Sequence, residues 1–328
     1  MYQHYTRYTM KYTAVIRTLG KAGDKYQKEL DSICTQTLPP EDIIVYIAEG
    51  YPLPKETCGK EQYIYVPKGM VAQRALPYDE VKTDWILFLD DDIYFPPTGV
   101  EALFNALCEN NAQVIASDMY DNSSRSLKNE LMMSIAGRMH ARRSDKKYGY
   151  KVMRTCGYSY NKHPEARAYL SNTNAGACFL CRKEDFLKIH FEEERWIDTM
   201  SYAMGEDEVM YYKMHLAGLK QLTLFGSGIL HLDAGSALQN TDREKRMVEA
   251  DYFFRKIFWT RFIQEPERNP LIKVWNKICI SYFYFFGLTV SLLKGDNEMF
   301  RRKLKSIEKA RNFLKSHQFT TIPKIVKK

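Results

Sequence analysis

The chain has 328 residues, 45% of them hydrophobic and 27% charged, the balance of an ordinary globular protein with room for one large domain and an extension. Its net charge of +8 is unevenly placed, because residues 120–163 and 296–328 each carry ten Lys/Arg against three Asp/Glu while the rest is mildly acidic. Two separate basic segments, with no zinc-finger spacing or RNA-recognition signature, argue against a nucleic-acid partner, and seven scattered cysteines with no apolar leader predict a reducing cytoplasm.

Tyr12 to Thr18 is an apolar, β-branched run that breaks into Leu19-Gly20-Lys21-Ala22-Gly23, which reads as a first strand and its loop. The next helix is expected to be capped by Asp24, to turn Tyr26, Leu30 and Ile33 inward, and to end before Pro39-Pro40. Strands follow at Ile43 to Ala48 and Tyr63 to Val66, then a helix at Gly69 to Leu76 and a buried strand at Trp85 to Leu89. This β-α-β-β-α-β order predicts an α/β fold with a mostly parallel, doubly wound central sheet flanked by helices.

Directly after the buried strand come Asp90, Asp91 and Asp92, at the carboxyl end where an open α/β sheet keeps its ligands. Three adjacent like charges are costly unless a cation or a hydrogen-bond network offsets them, and Mg2+ or Mn2+ favours such oxygen ligands. Helix capping does not account for the triplet, because Thr98 and Glu101 supply a capping box for a helix over residues 98–109 whose Val100, Leu103, Phe104 and Leu107 face inward.

A strand at Gln113 to Ala116 leads into the basic, tyrosine-containing segment 120–163, read as an insertion or lid loop with Arg138, Arg142 and Arg143 available to phosphate. Ala177 to Leu180 is a further strand, and Cys178 and Cys181 within it have the spacing of half a zinc site without a second pair, which makes them structural. Glu206 to Ala217 reads as a helix stopped by Gly218, followed by short strands at Leu222 to Phe225 and Gly228 to Leu232. From Tyr252 an aromatic stripe begins, and Ile278 to Leu293 holds no charge between Lys277 and Lys294. Sixteen residues are short for a span of about 20. The readings of this region are a helix pair packed on its own domain, a dock on an anionic membrane surface aided by the basic tail, and, against the short length, a true span. The expected division is a catalytic domain over residues 1–235 and a helical extension over 236–328.

Four features in order resemble a family 2 glycosyltransferase with the A-type nucleotide-sugar fold (GT-A): Ala14-Val-Ile-Arg-Thr18 with the later Gln36-Thr-Leu-Pro-Pro40; Gly69, Gln73 and Arg74 ahead of Asp90-Asp-Asp92; Asn174-Ala-Gly-Ala-Cys-Phe-Leu180; and Gly205-Glu206-Asp207 opening a helix. The likeness spans roughly residues 12 to 233. It implies a nucleotide-diphosphate sugar donor, with a UDP-sugar the leading candidate, and a glycan or lipid-linked acceptor. By the same resemblance Asp90 and Asp91 face the nucleoside, Asp92 ligates Mn2+ or Mg2+ with His231 completing the shell, and Asp207 is the base that takes the acceptor proton with inversion, with Glu206 orienting the acceptor. Arg17, Thr18 and Arg74 are candidate donor contacts, and Gly176 would let backbone approach the donor. Glu49 stands where such enzymes place an aspartate for the nucleobase, and Trp196 is a candidate to stack on the acceptor sugar. The setting expected is cytoplasmic, peripheral at the inner face of the cell membrane. A sugar-phosphate nucleotidyltransferase and a catalytically silent sugar-nucleotide-binding or membrane scaffold remain the competing readings.

Overall fold

The computed structural model describes residues 10–120, 125–143, 145–232 and 241–326. In chain order, β1 (Tyr12–Thr18), α1 (Asp24–Cys34), β2 (Asp42–Ala48), β3 (Glu61–Val66), β4 (Trp85–Asp90), β5 (Ile93–Tyr94), α2 (Gly99–Glu109) and β6 (Val114–Ser117) come first. The basic segment contributes α3 (Leu127–Ile135), β7 (Met139–Arg142), β8 (Tyr150–Val152) and β9 (Tyr158–Asn161). Then come β10 (Ala168–Leu170), β11 (Cys178–Arg182), α4 (Lys183–Leu187), a 3-10 segment Phe191–Thr199, α5 (Glu206–Leu216), β12 (Gln221–Leu224) and β13 (Leu230–His231). The C-terminal part is α6 (Thr241–Phe258), a π-helical segment Trp259–Gln264, α7 (Pro270–Leu293), α8 (Asn297–Leu314) and α9 (His317–Thr320).

Eight strands form the central sheet in the order β10-β12-β6-β11-β4-β1-β2-β3. All but two run the same way: β11 is antiparallel to both β4 and β6, and β10 is antiparallel to β12. The expected mostly parallel sheet flanked by helices, with helices at the C-terminus, is the one observed. Its inner strands are apolar on both faces because helices cover both. On one face Val15, Ile44, Tyr46 and Phe88 pack with Met210 of α5 and with Phe254 and Ile257 of α6. On the other, Ile16, Val45, Leu87 and Leu89 pack with Leu30 of α1 and Leu103 of α2. The alternation of period two along β1, β2 and β4 decides which residue meets which layer.

Several local expectations differ. Gly69 to Leu76 forms turns rather than a helix: Gly69 sits at φ 155°, and the Asp198 carboxylate accepts the N–H of Val71 and of Ala72 at 2.9 and 3.0 Å. Pro77 then bars continuation. The capping box at α2 is not made, since Gln36 Oε1 accepts the Val100 N–H at 3.0 Å while Glu101 is drawn to the Thr37 hydroxyl at 2.9 Å. Asp24 is the first helical residue of α1, after Gly23 at the cap position.

The basic segment is folded, not an open loop. Its strands β7, β9 and β8 make a small separate sheet, Arg142 donates to the carbonyls of Tyr148 and Gly149, and Arg138 pairs with Asp251 of α6 at 2.8 Å. Arg138 and Arg142 are therefore structural rather than phosphate-seeking, and Arg143 is exposed.

Position 235, where the two parts were expected to divide, lies outside the described residues. On either side of it the chain shares one core, because Phe254, Phe258 and Phe262 pack in the same cluster as Trp196 and Tyr211. A buried ion cluster adds to this. Glu194, fully buried, accepts from Arg261 at 2.7 Å and pairs with Lys213 at 2.9 Å, and Arg261 also donates to the Pro323 carbonyl at 2.8 Å. Burial pushes the Glu194 carboxyl up, but the two cations overcome it and hold it below the usual range.

Candidate active site

The carboxyl ends of β1 and β4 lie side by side, with Arg17 paired in register with Asp90. Since β11 enters antiparallel to β4, its first residues reach the same edge, and the Asp90 N–H donates to the Ala177 carbonyl at 2.9 Å. Helix α5 begins nearby, after Gly205 in the left-handed region at φ 85°. Residues 17–18, 74, 90–92, 176 and 206–207 thus come from five separate stretches of chain and meet at one end of the sheet.

Two arginines organise the meeting point. Arg17 donates Nε and Nη2 to the two Asp90 carboxylate oxygens, the latter at 3.3 Å, and reaches Glu206 Oε1 at 3.4 Å. Arg74, almost wholly buried, donates Nη1 to Asp207 Oδ1 at 2.7 Å and Nη2 to the Gly176 carbonyl at 2.8 Å and to Asp90 at 3.4 Å. One guanidinium therefore ties the acidic triplet to the start of α5. Burial pushes the Asp90 carboxyl up, and the two guanidiniums outweigh it and hold it below the ordinary value. For Glu206 burial prevails, joined by the Asp207 charge, and its carboxyl is raised despite Arg17 and Arg74.

Asp91 accepts from the Thr18 hydroxyl, and its carboxyl is pushed up to about 6, mainly by burial, with Asp92 and Asp90 adding to it. Asp92 lies 3.0 Å from His231 Nε2, a distance set by the two-residue pairing of β5 with β13. Beneath the triplet sits Glu29 of α1, fully buried, accepting the Ile93 N–H at 3.1 Å. Burial raises its carboxyl well above the usual range, and the three aspartates push the same way.

In front of these groups is a cavity of about 700 Å³, lined by Arg17, Thr18, the three aspartates, Glu206 and His231, and on its other side by Lys21, Lys25, Lys68, Met70 and Asp198. Its size suits a drug-sized or nucleotide-sized ligand. Asp207 and Gly176 stand beside it rather than in its wall. An added Cβ on Gly176 would lie 1.9 Å from Asp207 Oδ1 and 2.6 Å from Arg74 Nη1. The glycine makes room for the Arg74–Asp207 pair, which is a different reason from the close donor approach expected of it.

Two expected site residues are not brought here. Trp196 is buried, donates its indole N–H to Glu194 at 2.8 Å and stacks on Phe254, so its face has no access to an acceptor sugar. Glu49 is exposed at the end of β2 and does not line the cavity. Conversely, Lys25, Lys68, Asp198 and Glu29 escape the sequence reading. Only Glu29 left a trace: it falls on the inward face of α1 between Tyr26 and Leu30.

Among the described residues no group of three His, Cys, Asp or Glu side chains is arranged to hold a metal. Asp92 and His231 nevertheless form an oxygen and nitrogen pair facing the cavity, and Mg2+ or Mn2+ bound together with substrate phosphates commonly takes only one or two protein carboxylates. The donor set fits such an ion.

Comparison with known proteins bears out the family resemblance over part of the chain. Residues 58–188 match the model of glycosyl transferase family 2, a stretch that takes in Arg74, the aspartate triplet and Gly176 but neither Arg17 nor the Glu206-Asp207 pair. No curated protein matches significantly by sequence. Among solved structures, the crystal structure of GalNAc-T7 with UDP, GalNAc and Mn2+ aligns at 12% identity and a TM-score of 0.48, covering 83% of this chain. The aligned part amounts to 55% of that protein, so this chain spans little more than half of its length.

Proposed function

With residues 58–188 as a glycosyl transferase family 2 segment, we propose that the chain is a metal-dependent, inverting glycosyltransferase. It takes a nucleotide-diphosphate sugar, a UDP-sugar first among the candidates, and transfers the sugar to a hydroxyl of a glycan or lipid-linked acceptor. The observation that carries this reading is Arg74, whose single guanidinium contacts both Asp90 on the cavity side and Asp207 at the start of α5. It ties the triplet, where a donor would be held, to the helix start, where a base would stand.

In this mechanism Asp207 receives the acceptor proton. Arg74 engages Oδ1, which leaves Oδ2 as the accepting atom. Attack from the face opposite the leaving diphosphate inverts the anomeric carbon. Lys21, Lys25 and Lys68 line the cavity where the diphosphate charge would lie, and Thr18 orients Asp91 through its hydroxyl. Asp92 and His231 would hold Mn2+ or Mg2+, which when bound neutralises charge on the leaving phosphate. Burial raises the carboxyls of both Asp91 and Glu29, which eases the repulsion the triplet generates before a cation arrives.

The test is calorimetric binding of UDP-, GDP-, CMP- and dTDP-sugars with and without Mn2+, repeated on Asp92→Asn and Asp207→Asn. Metal-dependent binding of one nucleotide class is expected, lost in Asp92→Asn and kept in Asp207→Asn, with transfer abolished in the latter. Full transfer by Asp207→Asn would refute the base assignment. Absence of donor binding by folded wild-type protein would refute the transferase reading.

A further inference from the structure

Helix α7 has two dissimilar faces. One carries Asn276, Ile280, Phe283 and Ser291 and is locked to the rest of the molecule: Arg154 donates to the Asn276 side chain, the Trp259 indole donates to the Asn276 carbonyl at 3.2 Å, and Lys303 donates to the Ser291 hydroxyl at 2.8 Å and the Gly287 carbonyl at 2.9 Å. The opposite face carries Leu271, Trp275, Ile278, Tyr282, Phe285 and Leu292, all exposed and spaced three or four apart apart from the last step of seven. Leu271 is 78% and Phe285 69% exposed. Such a stripe on a soluble surface is too large to be incidental.

A second exposed apolar stripe adjoins it. Helix α3, within the basic segment, exposes Leu127, Leu131, Met132 and Ile135, and its carboxyl end meets α7 where the Tyr282 hydroxyl donates to the Ile135 carbonyl at 2.6 Å. The two helices lie more than a hundred residues apart in sequence, so no reading of either alone reveals the joint surface. Helix α7 is long and apolar enough to cross a bilayer, yet only its outward face is free of protein. Spanning would strip away every contact of the locked face.

We propose that the outward faces of α3 and α7 together form a platform that lies flat in the headgroup region of an anionic lipid bilayer. Charge selects this occupant. Helix α7 contains Lys273 and Lys277 and no acid; the one acid of α3, Glu130, is buried and paired with Lys162 at 2.5 Å; Lys128 and Arg143 are exposed close by in sequence. An apolar stripe flanked by exposed cations, Lys277 on α7 and Lys128 on α3, is the pattern of an interfacial helix drawn to anionic lipid. A second copy of the chain in a two-fold interface would add like charge to like, since no exposed acid on α3 or α7 answers Lys128 and Lys277. The inference stands apart from the transferase reading, and it places the platform on the same basic segment whose Tyr150 hydroxyl donates to Asp118, next to the exposed Tyr120.

The experiment is co-sedimentation of the full chain with phosphatidylcholine vesicles and with vesicles containing phosphatidylglycerol. Wild type is expected on the anionic vesicles and to be weakened by raised salt. Phe285→Glu and Leu131→Glu, both at exposed positions, are each expected to weaken binding roughly tenfold or more while the thermal unfolding profile stays that of wild type. Lys273→Glu with Lys277→Glu should lose the preference for anionic lipid. Failure of folded wild type to sediment, wild-type binding by Phe285→Glu, or a wild-type dimer that Phe285→Glu dissociates without any vesicle binding would each overturn the proposal. Metal-dependent donor binding without vesicles is measured in parallel, so its presence or absence judges the catalytic reading separately.

Discussion

Gly176→Ala is the sharpest probe of the site because it adds one methyl group at a place where the structure has no room. The new Cβ would sit 1.9 Å from Asp207 Oδ1 and 2.5 Å from its Cγ, against an ordinary contact of 3.4 Å, so the carboxylate must retreat by about 1.5 Å. Arg74 Nη1, at 2.6 Å from the same point, must move as well. Overpacking of this kind costs about 1–3 kcal/mol of stability. The displacement matters more for rate than for folding, since about 1 Å of misplacement in a catalytic group lowers turnover roughly 100-fold. Asp92 and His231 are not in the path and Arg74 reaches the triplet only through Asp90 at 3.4 Å, so donor affinity should fall less than turnover. The assay is steady-state transfer beside calorimetric donor binding and thermal unfolding. Wild-type turnover with an unchanged unfolding temperature would refute the reasoning. If Asp207→Asn were inert in the same assay, the error would lie in the packing at Gly176; if it were active, in the role of Asp207.

Other outcomes follow from buried charge. Glu194→Ala removes the buried one of two carboxylates that Arg261 and Lys213 share, leaving Glu193 at 3.4 and 2.7 Å, and denaturant unfolding should show a loss of about 3 kcal/mol. Glu208 is raised to about 8 by burial, with Asp251 adding to it and Arg255 opposing. The folded chain thus keeps a proton that the unfolded chain releases near the ordinary 4.5, so this group's contribution to stability is whole below about 4.5 and declines as pH rises toward 8. Thermal unfolding of Glu208→Gln at pH 5 and pH 8 should show a shallower decline than wild type, and an equal decline would count against the buried proton. Asp198→Ala removes the acceptor of two turn N–H groups beside Gly69, and should cost about 1–2 kcal/mol in unfolding and weaken donor binding measured by calorimetry.

What was legible in the sequence was whatever the chain states locally. The run Trp85 to Leu89 followed by three aspartates announces a buried strand whose acidic end reaches the cavity, and Gly218 at φ 86° stops α5 where a left-handed residue was expected. The site's wiring was not legible, because Arg74 and Asp207 are 133 positions apart and only the sheet order brings them together. Trp196 misled because a tryptophan's two uses, ring stacking and core filling, look alike until its indole N–H finds Glu194. The capping box failed for a related reason: Gln36, 64 residues upstream, reached the Val100 N–H. The strands of the basic segment are three or four residues each and hold three tyrosines among eleven residues, too short to show an alternation.

The antiparallel strand β11 has a consequence for how the molecule is made. It lies between β4 and β6, so these two strands, only 23 residues apart in the chain, cannot settle against each other and must hold open a slot for a strand that emerges from the ribosome some 60 residues after β6. During synthesis β1, β2, β3 and β4 can assemble as one parallel unit while β4 keeps an unpaired, strongly apolar edge. Closure of the sheet then waits on a long-range insertion, the kind of contact that makes folding slow and leaves an intermediate open to strand-edge association. Insertion of β11 also delivers Gly176 to Arg74 and Ala177 to Asp90, so the step that seals the sheet is the one that completes the site.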